Sequence, residues 1–145
     1  MASAAHDCGP RNTRRVPNAR RLHHLTLTVT DLEASVAWYG RVLGLDRFAD
    51  RSGPGWERIL VGSPGELLIG LTRHDATAPG EAFDPARVGL DHLSVACEDR
   101  FEVEVWADHL SALGVAHEDI VDAPAGHVLV CQDPDGIPVE FFASR

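Results

Sequence analysis

A stretch near the start of the chain recurs in its second half, and this duplication limits the folds open to it. The run from Leu22 to Leu45 is echoed from Leu90 to Val115. His24 aligns with His92, Leu25 with Leu93, Thr26 with Ser94, Asp31 with Asp99 and Trp38 with Trp106, all in one unbroken register. Gly44 and Gly114 close the two copies, the second with two extra residues in its helical part. Internal repetition of this kind sets architecture, because each copy is one structural unit. Two similar units are expected, each opening with a histidine on a strand.

Within the first unit, Leu25, Leu27 and Val29 alternate with His24, Thr26 and Thr28, the period of a half-buried strand. Asp31 is a good N-cap, the apolar residues Leu32, Val36, Tyr39 and Leu43 follow at helical spacing, and Gly44 reads as the C-cap. Leu45 to Phe48 reads as a short strand and residues 51–55 as a Gly-Pro loop. Trp56 to Val61 and Glu66 to Thr72 are two further strands around the turn Gly62-Ser63-Pro64-Gly65. Residues 73–89 form a polar, Pro-containing linker. The pattern then restarts: a strand through Leu93, Val95 and Cys97, a helix from Phe101 to Leu113, a strand from Val115 to Ile120 and a loop over 122–126. A hairpin, Val128 to Cys131 and Ile137 to Phe142, closes the chain around Gln132-Asp133-Pro134-Asp135-Gly136. The expected fold class is α+β, with two βαβββ modules, 22–72 and 90–143, making a single domain over 22–143.

The chain's 145 residues are 44% hydrophobic and 24% charged, ordinary values for a compact domain. All thirteen basic residues are arginine, and five of them lie in the first 21 residues, opposed there only by Asp7. Residues 1–21 are expected to be a disordered basic tail. The acidic remainder argues against a nucleic-acid groove, and the lack of a long apolar run argues against a membrane span. Cys8, Cys97 and Cys131 match no zinc spacing and suggest reduced thiols in a cytoplasmic protein.

The alternation also selects chemistry. In each opening strand the aliphatic face must cover the following helix, so His24 with Thr26, and His92 with Ser94, look the other way. In the last strand Ile137, Val139 and Phe141 face the core, which turns Glu140 opposite to them. If the two sheets curl around one hollow, two imidazoles and a carboxylate point into it, a set suited to a divalent ion with open coordination positions. The wall of that hollow would include Thr26, Ser94, Val128, Val130 and Phe142, mostly apolar. His127 precedes a strand near the hollow and is a candidate acid or base.

The run from His24 to Leu45, the restart at His92 and the closing DPDGIPVEFF from Asp133 resemble the vicinal oxygen chelate superfamily. That superfamily includes glyoxalase I, extradiol dioxygenases, and fosfomycin and bleomycin resistance proteins. The resemblance spans about residues 22–143 and implies paired βαβββ modules forming a cupped mixed sheet around a divalent metal. It puts the ligands on His24, His92 and Glu140, and implies Fe(II) or Mn(II), with Zn(II) and Ni(II) as alternatives. It also implies a small-molecule substrate and a homodimer, with modules exchanged between chains as one arrangement. Aligning Pro64 with Pro134 puts Gly70 where glyoxalase I resemblance calls for a further ligand, and glycine cannot supply one. The expected function is therefore a dioxygenase-like metalloenzyme acting on a small oxygen-bearing molecule. A glyoxalase-type isomerase or lyase and a non-catalytic drug or metabolite binder are the alternatives.

Overall fold

A computed structural model describes residues 21–145. The basic tail expected over residues 1–21, and Cys8 within it, lie outside the described residues except for Arg21. The first unit comprises β1 (Leu25–Thr28), α1 (Leu32–Leu43), β2 (Arg47–Gly53), β3 (Trp56–Gly62) and β4 (Leu68–His74). The second comprises β5 (Leu93–Cys97), α2 (Arg100–Ala112), β6 (Val121–Ala123), β7 (Gly126–Gln132) and β8 (Pro138–Ser144). Both follow the βαβββ order of the duplicated sequence.

The helix ends are set by the residues the repeat predicts. Asp31 accepts from Ala34 N at 3.0 Å and Asp99 from Glu102 N at 3.0 Å, each supplying an acceptor to an otherwise orphaned first-turn N–H. Gly44, at φ 67°, sits in the left-handed region that ends a helix cheaply only at glycine, and its N–H returns to Gly40 O at 3.0 Å.

Each module is a four-stranded mixed sheet, β1-β4-β3-β2 in one and β5-β8-β7-β6 in the other. In each, the opening strand runs parallel to the last strand and the other neighbours are antiparallel. The duplication is thus one of topology as well as sequence. α1 lies on β3 and β4, and α2 on β5, β7 and β8. The helix-covered faces meet in one core that includes Leu27, Tyr39, Ile69, Leu71, Leu110, Leu129, Val139 and Phe141. Trp106 of α2 stacks on Phe141 with ring centroids 4.4 Å apart. Polar contacts close the join between modules: Tyr39 Oη donates to Asp133 Oδ2 (3.1 Å), and Thr30 N donates to Asp135 Oδ1 (3.1 Å).

Two local expectations are corrected. Residues 51–53 belong to β2, because Arg51, Ser52 and Gly53 pair with Arg58, Glu57 and Trp56. Pro54-Gly55 is the tight turn between them, with Gly55 at φ 80° where the turn needs a residue without a side chain. Val115 to Ile120 is not a continuous strand; it makes one bridge, His117 to Cys131, and the edge strand β6 lies just beyond it, at Val121–Ala123, overlapping the start of the stretch expected to be loop.

Candidate metal centre

Pairing within the second sheet assembles the face opposite the core. The parallel register sets Ser94 beside Glu140, and the antiparallel register of β7 with β8 sets Val130 beside Glu140 and Val128 beside Phe142. Their neighbours Leu93, Leu129, Val139 and Phe141 go to the core. Ser94 Oγ donates to Glu140 Oε1 at 2.7 Å. His92, which precedes β5, brings Nε2 to 3.9 Å from the same oxygen. Its Nδ1 lies 2.6 Å from Asp91 Oδ1. That hydrogen bond to Asp91 is the largest influence and raises the His92 pKa; burial, next in size, opposes it, and the charges of Glu140 and Asp91 add to the rise. A carboxylate on Nδ1 fixes the ring and leaves Nε2 as the donor toward an ion, the usual outer-sphere arrangement of a metal-binding histidine. Asp91 was not singled out by sequence; its adjacency to His92 was the available signal.

The first sheet repeats this plan with different residues. Thr26 pairs with Gly70 as Ser94 pairs with Glu140, so the equivalence of Gly70 and Glu140 holds in the structure. A Cβ built on Gly70 would approach Thr26 Oγ1 to 2.8 Å and Arg58 Cδ to 3.2 Å, so the place of a side chain is already taken. His24 is exposed, and its Nδ1 lies 2.9 Å from Nδ1 of His23, the residue in the place of Asp91.

Of the three expected ligands, one chain brings His92 and Glu140 together and leaves His24 on the other sheet. Among the described residues no three His, Cys, Asp or Glu side chains are grouped to hold one ion. The wall residues Ser94, Val128, Val130 and Phe142 share one face; Thr26 belongs to the equivalent face of the first sheet. His127 does not join them. Its neighbours across the sheet are Asp122 and Ala143, on the face opposite Glu140, and its Nδ1 lies 2.5 Å from Asp122 Oδ1. The odd-even alternation that brings Val128 to the Glu140 face turns His127 from it. Both described cysteines are free, and burial pushes each thiol up to about 11, away from reactive thiolate character.

The sequence profile of the Glyoxalase/Bleomycin resistance protein/Dioxygenase superfamily matches residues 21–141. The chain belongs to this superfamily. An uncharacterised protein of Bacillus subtilis (strain 168), YqjT, is 30% identical over 131 residues, covering 84% of this chain and 98% of YqjT. A superfamily domain from Frankia sp. EAN1pec, solved by crystallography, is 31% identical with a TM-score of 0.80, covering 88% of this chain and 94% of that one. The fosfomycin resistance protein FosX of Listeria monocytogenes, solved as a point mutant with Mn(II) and 1S,2S-dihydroxypropylphosphonic acid, is 17% identical. Its TM-score is 0.66, with 88% of this chain and 95% of FosX covered, a likeness of fold alone. The superfamily's paired βαβββ modules are those built here from the two halves of the repeat.

Proposed function

We propose that the protein is a divalent-metal-dependent enzyme acting on a small oxygen-bearing organic molecule, with a dioxygenase-like site of two histidines and one glutamate. His92 and Glu140 of one chain and His24 of a second copy are the ligands, so the active form is a homodimer with modules shared between chains. The observation that carries this reading is the arrangement of Asp91, His92, Ser94 and Glu140. Two donors are held by outer partners and turned toward each other at 3.9 Å, on a face the core does not use. An exposed His24 at the equivalent place on the other sheet supports a second copy as the source of the third donor.

Held by these residues, a divalent ion, Fe(II) or Mn(II) in first place, would supply a Lewis acid for the oxygen-bearing part of the substrate. The chain's own residues do the rest. Ser94 holds the carboxylate of Glu140, Asp91 holds the imidazole of His92, and Val128, Val130 and Phe142 present an apolar wall to the substrate's carbon skeleton. FosX is a member of this fold that holds Mn(II). A glyoxalase-type reaction is the less favoured reading, because the position of a further carboxylate ligand is Gly70 and its space is filled by Thr26 and Arg58. Oxygen uptake with catechol-like substrates by Fe(II)- or Mn(II)-loaded protein supports the proposal. Isomerisation of a hemithioacetal without oxygen uptake would replace it with the glyoxalase reading, and ligand binding without turnover or metal would replace it with sequestration.

A further inference from the structure

Arg58 lies on the same face of the first sheet as Thr26, Gly70 and Thr72, while its neighbours Ile59 and Val61 enter the core. Three contacts hold it. Its Nε donates to Thr72 Oγ1 at 2.7 Å, and Thr72 is itself only 1% exposed. Its Cζ stands 5.0 Å from the centre of the Trp56 ring. Its stem crosses Gly70, where a Cβ would come within 3.2 Å of Cδ. Trp56 is seated in turn over Gly53, whose added Cβ would meet the indole nitrogen at 2.7 Å. Two glycines thus make room for a stacked tryptophan and arginine.

The outer end of this guanidinium is unused. Among the described residues Arg47, Arg73, Arg87 and Arg100 pair with carboxylates, and Arg58 makes no ion pair; unlike Arg41, Arg51 and Arg145, which also make none but are exposed, Arg58 is half-buried and held in place, with no hydrogen bond from Nη1 or Nη2. A planar fork already oriented by Thr72 and Trp56, with two nitrogens free, is built for a bidentate oxyanion. In the duplicated plan Arg58 stands where the second sheet has Val128, and Gly70 where it has Glu140. The first sheet therefore offers a cation where the second offers an apolar wall and a carboxylate.

We infer that Arg58 is the substrate-anchoring residue of this hollow and that the substrate is an organic carboxylate. Its carboxyl group binds the Nη1 and Nη2 fork in the copy that supplies His24, and its oxygen-bearing end reaches His92 and Glu140 of the other copy. This rests on the proposed two-module site. Trp56 and Thr72 are positioning residues that act through Arg58.

The test uses full-length protein loaded with Mn(II), titrated calorimetrically with 3,4-dihydroxybenzoate and with catechol, which differ only in the carboxylate. Wild type is expected to bind the carboxylate at least about tenfold more tightly than catechol, the share of one charge-assisted pair. Arg58→Gln is expected to bring the two affinities within about threefold while leaving catechol affinity and metal content unchanged, and Arg58→Lys to restore part of the preference. Wild type lacking the preference, or Arg58→Gln retaining it, overturns the inference. Metal-free protein that keeps an Arg58-dependent carboxylate preference upholds the inference and counts against the metalloenzyme reading. A metal-binding wild type without the preference does the opposite. Melting temperatures of both variants close to wild type exclude a merely structural role for the side chain.

Discussion

Tyr39 on α1 donates its phenol to Asp133 in the turn before β8 at 3.1 Å, tying the helix of the first module to the last hairpin of the second. Tyr39 is fully buried and Asp133 is 5% exposed; the same carboxylate also accepts from Ile137 N (2.8 Å) and Asp135 N (2.9 Å). Tyr39→Phe removes one donor and leaves the buried carboxylate oxygen without it, so a loss of about 1–3 kcal/mol is expected in urea unfolding. An unchanged unfolding midpoint would show that the link between the modules does not depend on this bond.

The same carboxylate predicts a pH dependence. Burial, the largest influence, raises the Asp133 pKa above its ordinary value against the lowering effect of its hydrogen bonds. A folded pKa above the unfolded one means that the native state holds this proton more tightly. The stability it contributes is therefore present below the ordinary carboxylate value and lost as pH rises through the raised native value. Asp133→Asn removes this titration. The wild type should gain stability relative to the variant as pH falls from neutral to about 4; a constant difference across that window would contradict the assignment.

Ser35, on the buried face of α1, has an Oγ with no hydrogen-bond partner among the described residues and no exposed surface. Ser35→Ala removes an unsatisfied buried hydroxyl and improves helix propensity, and should stabilise the fold by up to about 1 kcal/mol. Destabilisation of similar size in chemical unfolding would reveal a partner for that hydroxyl.

Ser94 holds Glu140 at 2.7 Å. Ser94→Ala frees the carboxylate without removing a ligand, so Mn(II) affinity measured by titration should fall about tenfold, the scale of losses when an outer partner of a metal ligand is removed. The unfolding midpoint of metal-free protein should hardly move, since Ser94 is exposed. A large loss of stability with unchanged affinity would make the pair structural.

The duplicated pattern made both modules, both helix caps and the sharing of a face by Ser94, Val128, Val130, Glu140 and Phe142 legible before any coordinates. Alternation suffices for this because it states which side of a strand is buried. It does not state which module meets which, and so the separation of His24 from His92 within one chain could not be read from it. Alternation along β7 already sets His127 opposite to Val128, and the pairing with Asp122 and Ala143 agrees with it. Gly and Pro over residues 51–55 mark a chain reversal without giving its length, so the two-residue turn Pro54-Gly55 is settled only by the pairing of β2 with β3. Arg58 and Trp56 passed as ordinary strand residues, since their significance lies in Gly70 and Gly53 on neighbouring strands.

The central claim is a three-ligand ion site that needs two chains. Its most direct test is the metal content of protein purified without chelators, for wild type, for His24→Ala, for Glu140→Ala, and for the two variants unfolded together and refolded as a mixture. The account predicts one ion per chain in wild type and little in either variant alone. The mixture should recover up to about a quarter of the sites, because half of randomly formed dimers are mixed and each mixed dimer holds one intact site. Equal metal content in all four samples would contradict the ligand assignment, and two empty variants that recover nothing on mixing would contradict the sharing of the site between chains.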